Sequence, residues 1–134
     1  MIRPCYLVID RDFPGSISTR KLVIETAKFN VITAYSGTEA VETIQMFPNI
    51  HGAVIDADIH DIPCDVLIGA MRQVKPELRI VVISGPSGGR CEGADLHLES
   101  FDPRSLLEVL RGFQPEEVAA IEAREEKLNR EVFD

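Results

Sequence analysis

The chain has 134 residues, 45% of them hydrophobic, and 22 acids against 14 bases for a formal net charge of −8. That length suits one compact domain with a single core and leaves no room for a second. The acidic balance, with no basic cluster, argues against a nucleic-acid-binding surface. The longest apolar runs, four or five residues, are too short to span a bilayer. The N-terminus lacks a charged, apolar and cleavable signal pattern, so the chain is expected in the cytosol. Cys5, Cys64 and Cys91 are odd in number and widely spaced, without the paired spacings of a zinc site or disulfide framework. They are expected to be buried or idle thiols.

Short apolar runs alternate with stretches of helical period. The first run is Cys5–Ile9, and a helix of about Ile17 to Phe29 follows it. Val31–Tyr35 is the second run. After it, Ser36-Gly37-Thr38-Glu39 reads as a capping box, with Ala40, Val41, Ile44 and Phe47 on one face of the helix it opens. Ala53–Ile55 is the third run; next, Asp65 is expected to cap a helix that buries Val66, Leu67, Ala70, Met71 and Val74. The fourth and fifth runs are Ile80–Ile83 and Asp95–Leu98. Asp102-Pro103 then supplies an N-cap acid and a proline at the first helical position, ahead of Leu106, Leu107 and Leu110. Because the runs are continuous rather than alternating, they predict strands covered on both faces, hence a parallel sheet. The order of elements predicts a doubly wound α/β domain with right-handed crossovers.

Ligand sites in such sheets lie beyond the carboxyl ends of the strands, where strand order reverses. The first run ends at Asp10, the third at Asp56 and the fourth at Ser84. In the order 2-1-3-4-5 these strands are neighbours, about 4.8 Å apart, and an acid pair and a hydroxyl share one pocket.

With these residues in place, the stretch from 5 to about 113 resembles the receiver domain of bacterial two-component response regulators, a five-stranded flavodoxin-like fold. Asp10 matches the first acid of the family's acidic pair. Asp56 matches the aspartate that accepts a phosphoryl group from a histidine kinase, and Ser84 the threonine or serine that contacts it. "GAD" at 93–95 and "FDP" at 101–103 match the run around the fifth strand. The resemblance implies a phosphorelay signalling module rather than an enzyme, with a histidine kinase or another signalling protein as partner. It also implies Mg²⁺ held by Asp10, Asp56 and the backbone carbonyl of Asp58.

Departures from the family pattern fall on the chemistry. Arg11 stands where the second acid, the most direct metal ligand, is expected. At ~4 Å and an effective dielectric of ~20, each such charge contact is worth roughly 4 kcal/mol before solvation offsets it. Arg11 either turns inward as a fixed internal cation beside Asp10 or Asp56, or carries its head into water. Glu99 or Ser100 takes the place of the phosphoryl-contacting lysine, and the proline after it is missing. Four glycines, at 85, 88, 89 and 93, leave little scope for the fourth helix, which is expected to be shortened. His97 takes the switch aromatic's position and His60 that of a proline. These departures point to an atypical receiver with weak or absent phosphorylation that acts through protein contacts. The alternative is a working Mg²⁺-dependent acceptor at Asp56.

Other signals carry less. "GPSGG" lacks the lysine and hydroxyl residue of a nucleotide-binding loop, and His51, His60 and His97 have no metal-ligand spacing. A small-ligand or enzymatic use of the strand-end pocket is a third reading. Beyond the receiver-like stretch, 1–113, Pro115-Glu116-Glu117 opens a helix in the acidic extension 114–134. Val118, Ile121, Leu128 and Val132 mark a thin apolar stripe there, which is either a solvated face or a homodimer or docking seam.

Overall fold

Five apolar runs become five parallel strands: β1 (Cys5–Ile9), β2 (Asn30–Ala34), β3 (Ile50–Asp56), β4 (Arg79–Ile83) and β5 (Leu96–Leu98). Their order is β2-β1-β3-β4-β5, as expected. The structure is a computed structural model that describes residues 3–10, 19–59, 61–84 and 91–133. The central strands are buried almost throughout and the edge strands β2 and β5 are not, as a sheet covered on both faces requires.

Side-chain alternation along the strands divides the core in two. Leu7, Ile9, Ala53, Ile55, Ile80 and Val82 face α2 (Gly37–Met46) and α3 (Cys64–Val74). Tyr6, Val8, Val54, Val81 and Ile83 face α1 (Thr19–Thr26), α4 (Pro103–Phe113) and α5 (Pro115–Phe133). Gly52 permits close packing between strands: a Cβ there would lie 2.5 Å from the Tyr6 ring and 2.7 Å from the Arg79 carbonyl oxygen.

The helix starts follow local chemistry. Ser36 accepts a hydrogen bond from the Glu39 N–H at 3.0 Å, but Glu39 reaches back to the Tyr35 N–H rather than closing the reciprocal box. Asp102 accepts from the Arg104 N–H and the Ser105 hydroxyl, with Pro103 first in α4. Asp65 does not cap α3; Pro63 holds the N-cap position without a side-chain bond. Asp65 lies one residue inside the helix, in its first turn, where an acid favours the dipole without taking the N-cap position. The buried face of α3 is Cys64, Leu67, Ile68 and Met71, spaced i, i+3, i+4, i+7. Val66 and Val74 are exposed, and so is Phe47 at the end of α2.

Two further corrections concern the segment before β5. The cysteines are not all idle: Cys64 and Cys91 form a disulfide, with Cα atoms 5.4 Å apart, and Cys5 remains a free thiol. Linear spacing hides a pair that the fold brings together across 27 residues. Asp95 lies just before β5 rather than within it, and accepts from the Ile80 N–H at 2.7 Å and from Arg72 at 3.1 Å. Residues 91–95 contain no helix. They run along α3, with Cys91 at Cys64, Gly93 against Ile68 and on to Arg72, and Asp95 at Arg72.

α5 begins immediately after Gln114, whose side chain is buried with its amide 3.5 Å from the Tyr6 hydroxyl. Ile121 is 3% exposed and packs into the core beside Val118, whereas Leu128 is exposed. The first half of the stripe is therefore core. Among the described residues no helix is long and apolar enough to cross a membrane.

Candidate functional site

Register brings the expected strand ends together. Ile9 pairs with Ile55, which sets Asp10 beside Asp56, and Asp56 pairs with Ile83, so Ser84 stands one residue beyond it. Backbone bonds extend each pairing past the strands: Asp10 N–H to Ala34, Ala57 N–H to Ile83, and Ser84 N–H to Leu98. Both acids follow strand residues that face α2 and α3, so alternation directs their side chains toward the α1 face.

Asp10 and Asp56 are each 1% exposed. Two buried carboxylates this close repel one another and lose hydration, so they require a positive neighbour. Among the described residues, Arg20, in the first turn of α1, is such a neighbour. Its Nη1 lies 3.5 Å from Asp10 Oδ2 and its Nη2 lies 3.7 Å from Asp56 Oδ2. The side chain is 14% exposed, and its guanidinium lies over the Phe101 ring, 5.1 Å from the centroid. At these separations each ion pair is worth about 4–5 kcal/mol before desolvation, at an effective dielectric of ~20. Both distances exceed those of charge-assisted hydrogen bonds, and Nε is buried without a hydrogen-bond partner among the described residues. The guanidinium is held between the acids by charge and by Phe101 rather than locked by a fork. Asp56 is oriented by a further bond, from the Asp58 N–H to Oδ1 at 2.8 Å.

Arg20 was not among the residues expected from sequence, although its signal was legible. Positions 20, 23, 24 and 27 share one face of the helix, and Val23, Ile24 and Ala27 are buried. Arg20 is the charged residue that extends this apolar stripe toward the strand ends. Arg11, the cation expected there, lies outside the described residues, as does His60.

Ser84 Oγ lies 3.0 Å from His97 Nε2, so the residues matching the family's hydroxyl and switch aromatic are joined directly. Glu99 and Ser100 are exposed and bring no positive charge to the pocket. At the pocket's other edge, Asp61 accepts from the Gly37 and Thr38 N–H groups and the Thr38 hydroxyl, at 2.8, 3.0 and 3.1 Å. The Gly37 bond, with those from Thr38, holds its carboxyl below the usual range and ties the β3–α3 connection to the N-terminus of α2. His51 accepts from the Cys5 N–H, away from the pocket.

A divalent cation does not fit this donor set as it stands, because Arg20 already takes the position between the two carboxylates. Among the described residues no cluster of three or more His, Cys, Asp or Glu is arranged to hold a metal. A metal at Asp10 and Asp56 would have to displace the guanidinium.

A scan against protein-family models finds no match, and a comparison with curated proteins finds none. Solved structures do match. A CheY-like response regulator receiver domain protein from Methanospirillum hungatei superposes with a TM-score of 0.72 at 20% identity, over 86% of this chain and 96% of that one. The signal receiver domain of a LuxO repressor protein from Vibrio parahaemolyticus gives 0.70 at 13% identity, over 99% of both chains. A response regulator of Thermotoga maritima, solved with Mg²⁺–BeF, gives 0.65 at 23% identity, over 82% and 98%. Together with the sheet order, these similarities establish that the chain has the fold of response-regulator receiver domains.

Proposed function

We propose that this chain is a receiver-type module of two-component signalling that acts through protein contacts, with its acid pair neutralised internally and phosphorylation weak or absent. The observation that carries this reading is Arg20 between Asp10 and Asp56. A phosphoryl group arriving on Asp56 needs a cation to offset the charge on its oxygens. In this chain that cation is covalently part of α1, and a fixed charge that cannot leave favours one state of the site. Asp56 keeps the acceptor's place and Ser84 the phosphoryl contact's. Mg²⁺ at Asp10, Asp56 and the Asp58 carbonyl would bind weakly against Arg20.

The partner in this reading is a histidine kinase or another signalling protein in a bacterial cytoplasm, and the domain is a binding module rather than an enzyme. The receiver unit in this reading is 1–113; the acidic extension 114–134 is anchored on it through Val118 and Ile121, and its exposed Leu128 suits homodimerisation. A second reading, a Mg²⁺-dependent acceptor, draws support from a Burkholderia pseudomallei response regulator, 22% identical over 91% of this chain, solved with a phosphorylated aspartic acid and a calcium ion.

Intact-protein mass spectrometry after incubation with acetyl phosphate and Mg²⁺ decides between them. The expected result is no phosphoryl adduct on the wild type and an adduct on Arg20→Met, with Arg11→Asp as a parallel test of the other arginine. A wild-type adduct that disappears in Asp56→Asn would establish the acceptor and overturn the neutralised pocket.

A further inference from the structure

The β4–β5 connection follows Ser84 and the β3–α3 connection follows Asp56, so both start at the acid pocket. Cys91 and Cys64 join them by a disulfide. The two sulfurs differ in surroundings: Cys64 is first in the eleven-residue α3 and 8% exposed, whereas Cys91 is more open. We propose that Cys64 and Cys91 form a reversible thiol–disulfide exchange site for small thiols, and that its state sets how firmly residues 91–95 are held along α3.

Access and charge assign the direction of exchange. An incoming thiolate, such as that of glutathione, attacks the more open Cys91 sulfur and forms a mixed disulfide. The Cys64–Cys91 bond breaks and its electron pair leaves on Cys64. The departing thiolate lies at the positive end of the α3 dipole, which favours its negative charge. A second thiol resolves the mixed disulfide. In sum, two thiols are oxidised to one disulfide while the protein bridge takes up two electrons and two protons. The reverse reaction, with glutathione disulfide as oxidant, reforms the bridge.

Besides the bridge, the segment is held mainly at its far end: Ala94 packs against the core, the Asp95 N–H donates to the Ile80 carbonyl at 2.9 Å, and Arg79 lies 3.8 Å from the Asp95 carboxylate. Gly93, at φ +97, lies against Ile68 and accepts from Arg72, and Asp95 accepts from Arg72 and the Ile80 N–H. These partners run from the middle of α3 to β4, so Cys91, at the start of the segment, is retained chiefly by the bridge and its own packing. This inference does not depend on whether Asp56 accepts a phosphoryl group.

The folded full chain is equilibrated with a series of glutathione to glutathione disulfide ratios, quenched with N-ethylmaleimide in denaturant and weighed intact. With three cysteines in the chain, the expected adduct count moves from one to three as the couple becomes reducing, and Cys5→Ser shifts both counts down by one. Cys91→Ser should carry two adducts at every ratio; loss of both under oxidising conditions would assign the bridge to Cys5 and overturn the proposal. Three adducts throughout, or one throughout, would overturn it as well. Amide hydrogen exchange on the two wild-type forms should show residues 91–95 exchanging about tenfold faster when reduced. Equal rates would overturn the tethering role.

Discussion

Arg20 Nη2 lies 3.7 Å from Asp56 Oδ2, so the carboxylate in the acceptor position meets a positive charge supplied by its own chain. The same guanidinium serves Asp10 at 3.5 Å. Arg20→Met retains the packing of the stem and removes the charge, leaving two buried acids without it. Urea unfolding at neutral pH should show a loss of about 3 kcal/mol, and added Mg²⁺ should raise the Tm of the variant but not of the wild type. An unchanged midpoint would mean that Arg20 is not the counter-charge.

Asp61 couples the pocket's rim to α2, and the pH dependence follows in sign. Its folded carboxyl is held below the ordinary value of 3.8, first by the Gly37 N–H and then by Thr38. Its contribution is therefore present above that value and is lost as pH falls through the lower folded value. Asp61→Ala should cost about 1 kcal/mol near neutrality, the scale of a lost N-terminal cap, with the deficit shrinking in acid. Thermal melts across that range are the measurement.

At alkaline pH the sensitive group is Tyr6. Burial, against smaller effects from Gln114 and Arg79, pushes its hydroxyl from 10.0 up to about 12. Between those values the folded protein keeps a proton that the unfolded chain releases, so stability falls as pH rises through the window. The total loss is about 2–3 kcal/mol. Tyr6→Phe should flatten this dependence in urea titrations, while Tyr35→Phe should leave it intact.

Reduction of the Cys64–Cys91 bridge frees a loop with a sequence separation of 27. Chain entropy puts the cost at about 3 to 4 kcal/mol. Cys64→Ser, compared with oxidised wild type by guanidinium unfolding, should lose that amount, and excess dithiothreitol should shift the wild type alone.

Gly52→Ala tests the packing of β3. The added Cβ would meet the Tyr6 ring at 2.5 Å and, at 2.7 Å, the Arg79 carbonyl oxygen, which belongs to a paired strand and cannot swing aside. A loss of about 1–3 kcal/mol is expected. Gly69→Ala, where nothing lies within 4 Å of the added methyl group, should have no such cost.

The amino-acid sequence by itself determined the parallel sheet and its helical cover, and put Asp10, Asp56 and Ser84 at strand ends; their alignment followed from the order 2-1-3-4-5, which the family resemblance implied and the structure has. Continuous apolar runs need cover on both faces, and helical stripes between them supply it, so local patterns already contain the architecture. Helix faces were legible less evenly. The stripe of α3 was displaced because Val66 and Val74 are apolar yet exposed, and Cys64 was not counted as core. Only the tertiary structure decided which charge meets the acids and which thiols meet each other. Arg20 reaches Asp56 from 36 positions earlier in the chain, and Cys64 meets Cys91 across 27. Such contacts depend on how α1 and the β4–β5 connection settle against the sheet: the helical period puts Arg20 on the buried face of α1, but no local period or spacing encodes which acids it meets or which cysteines pair.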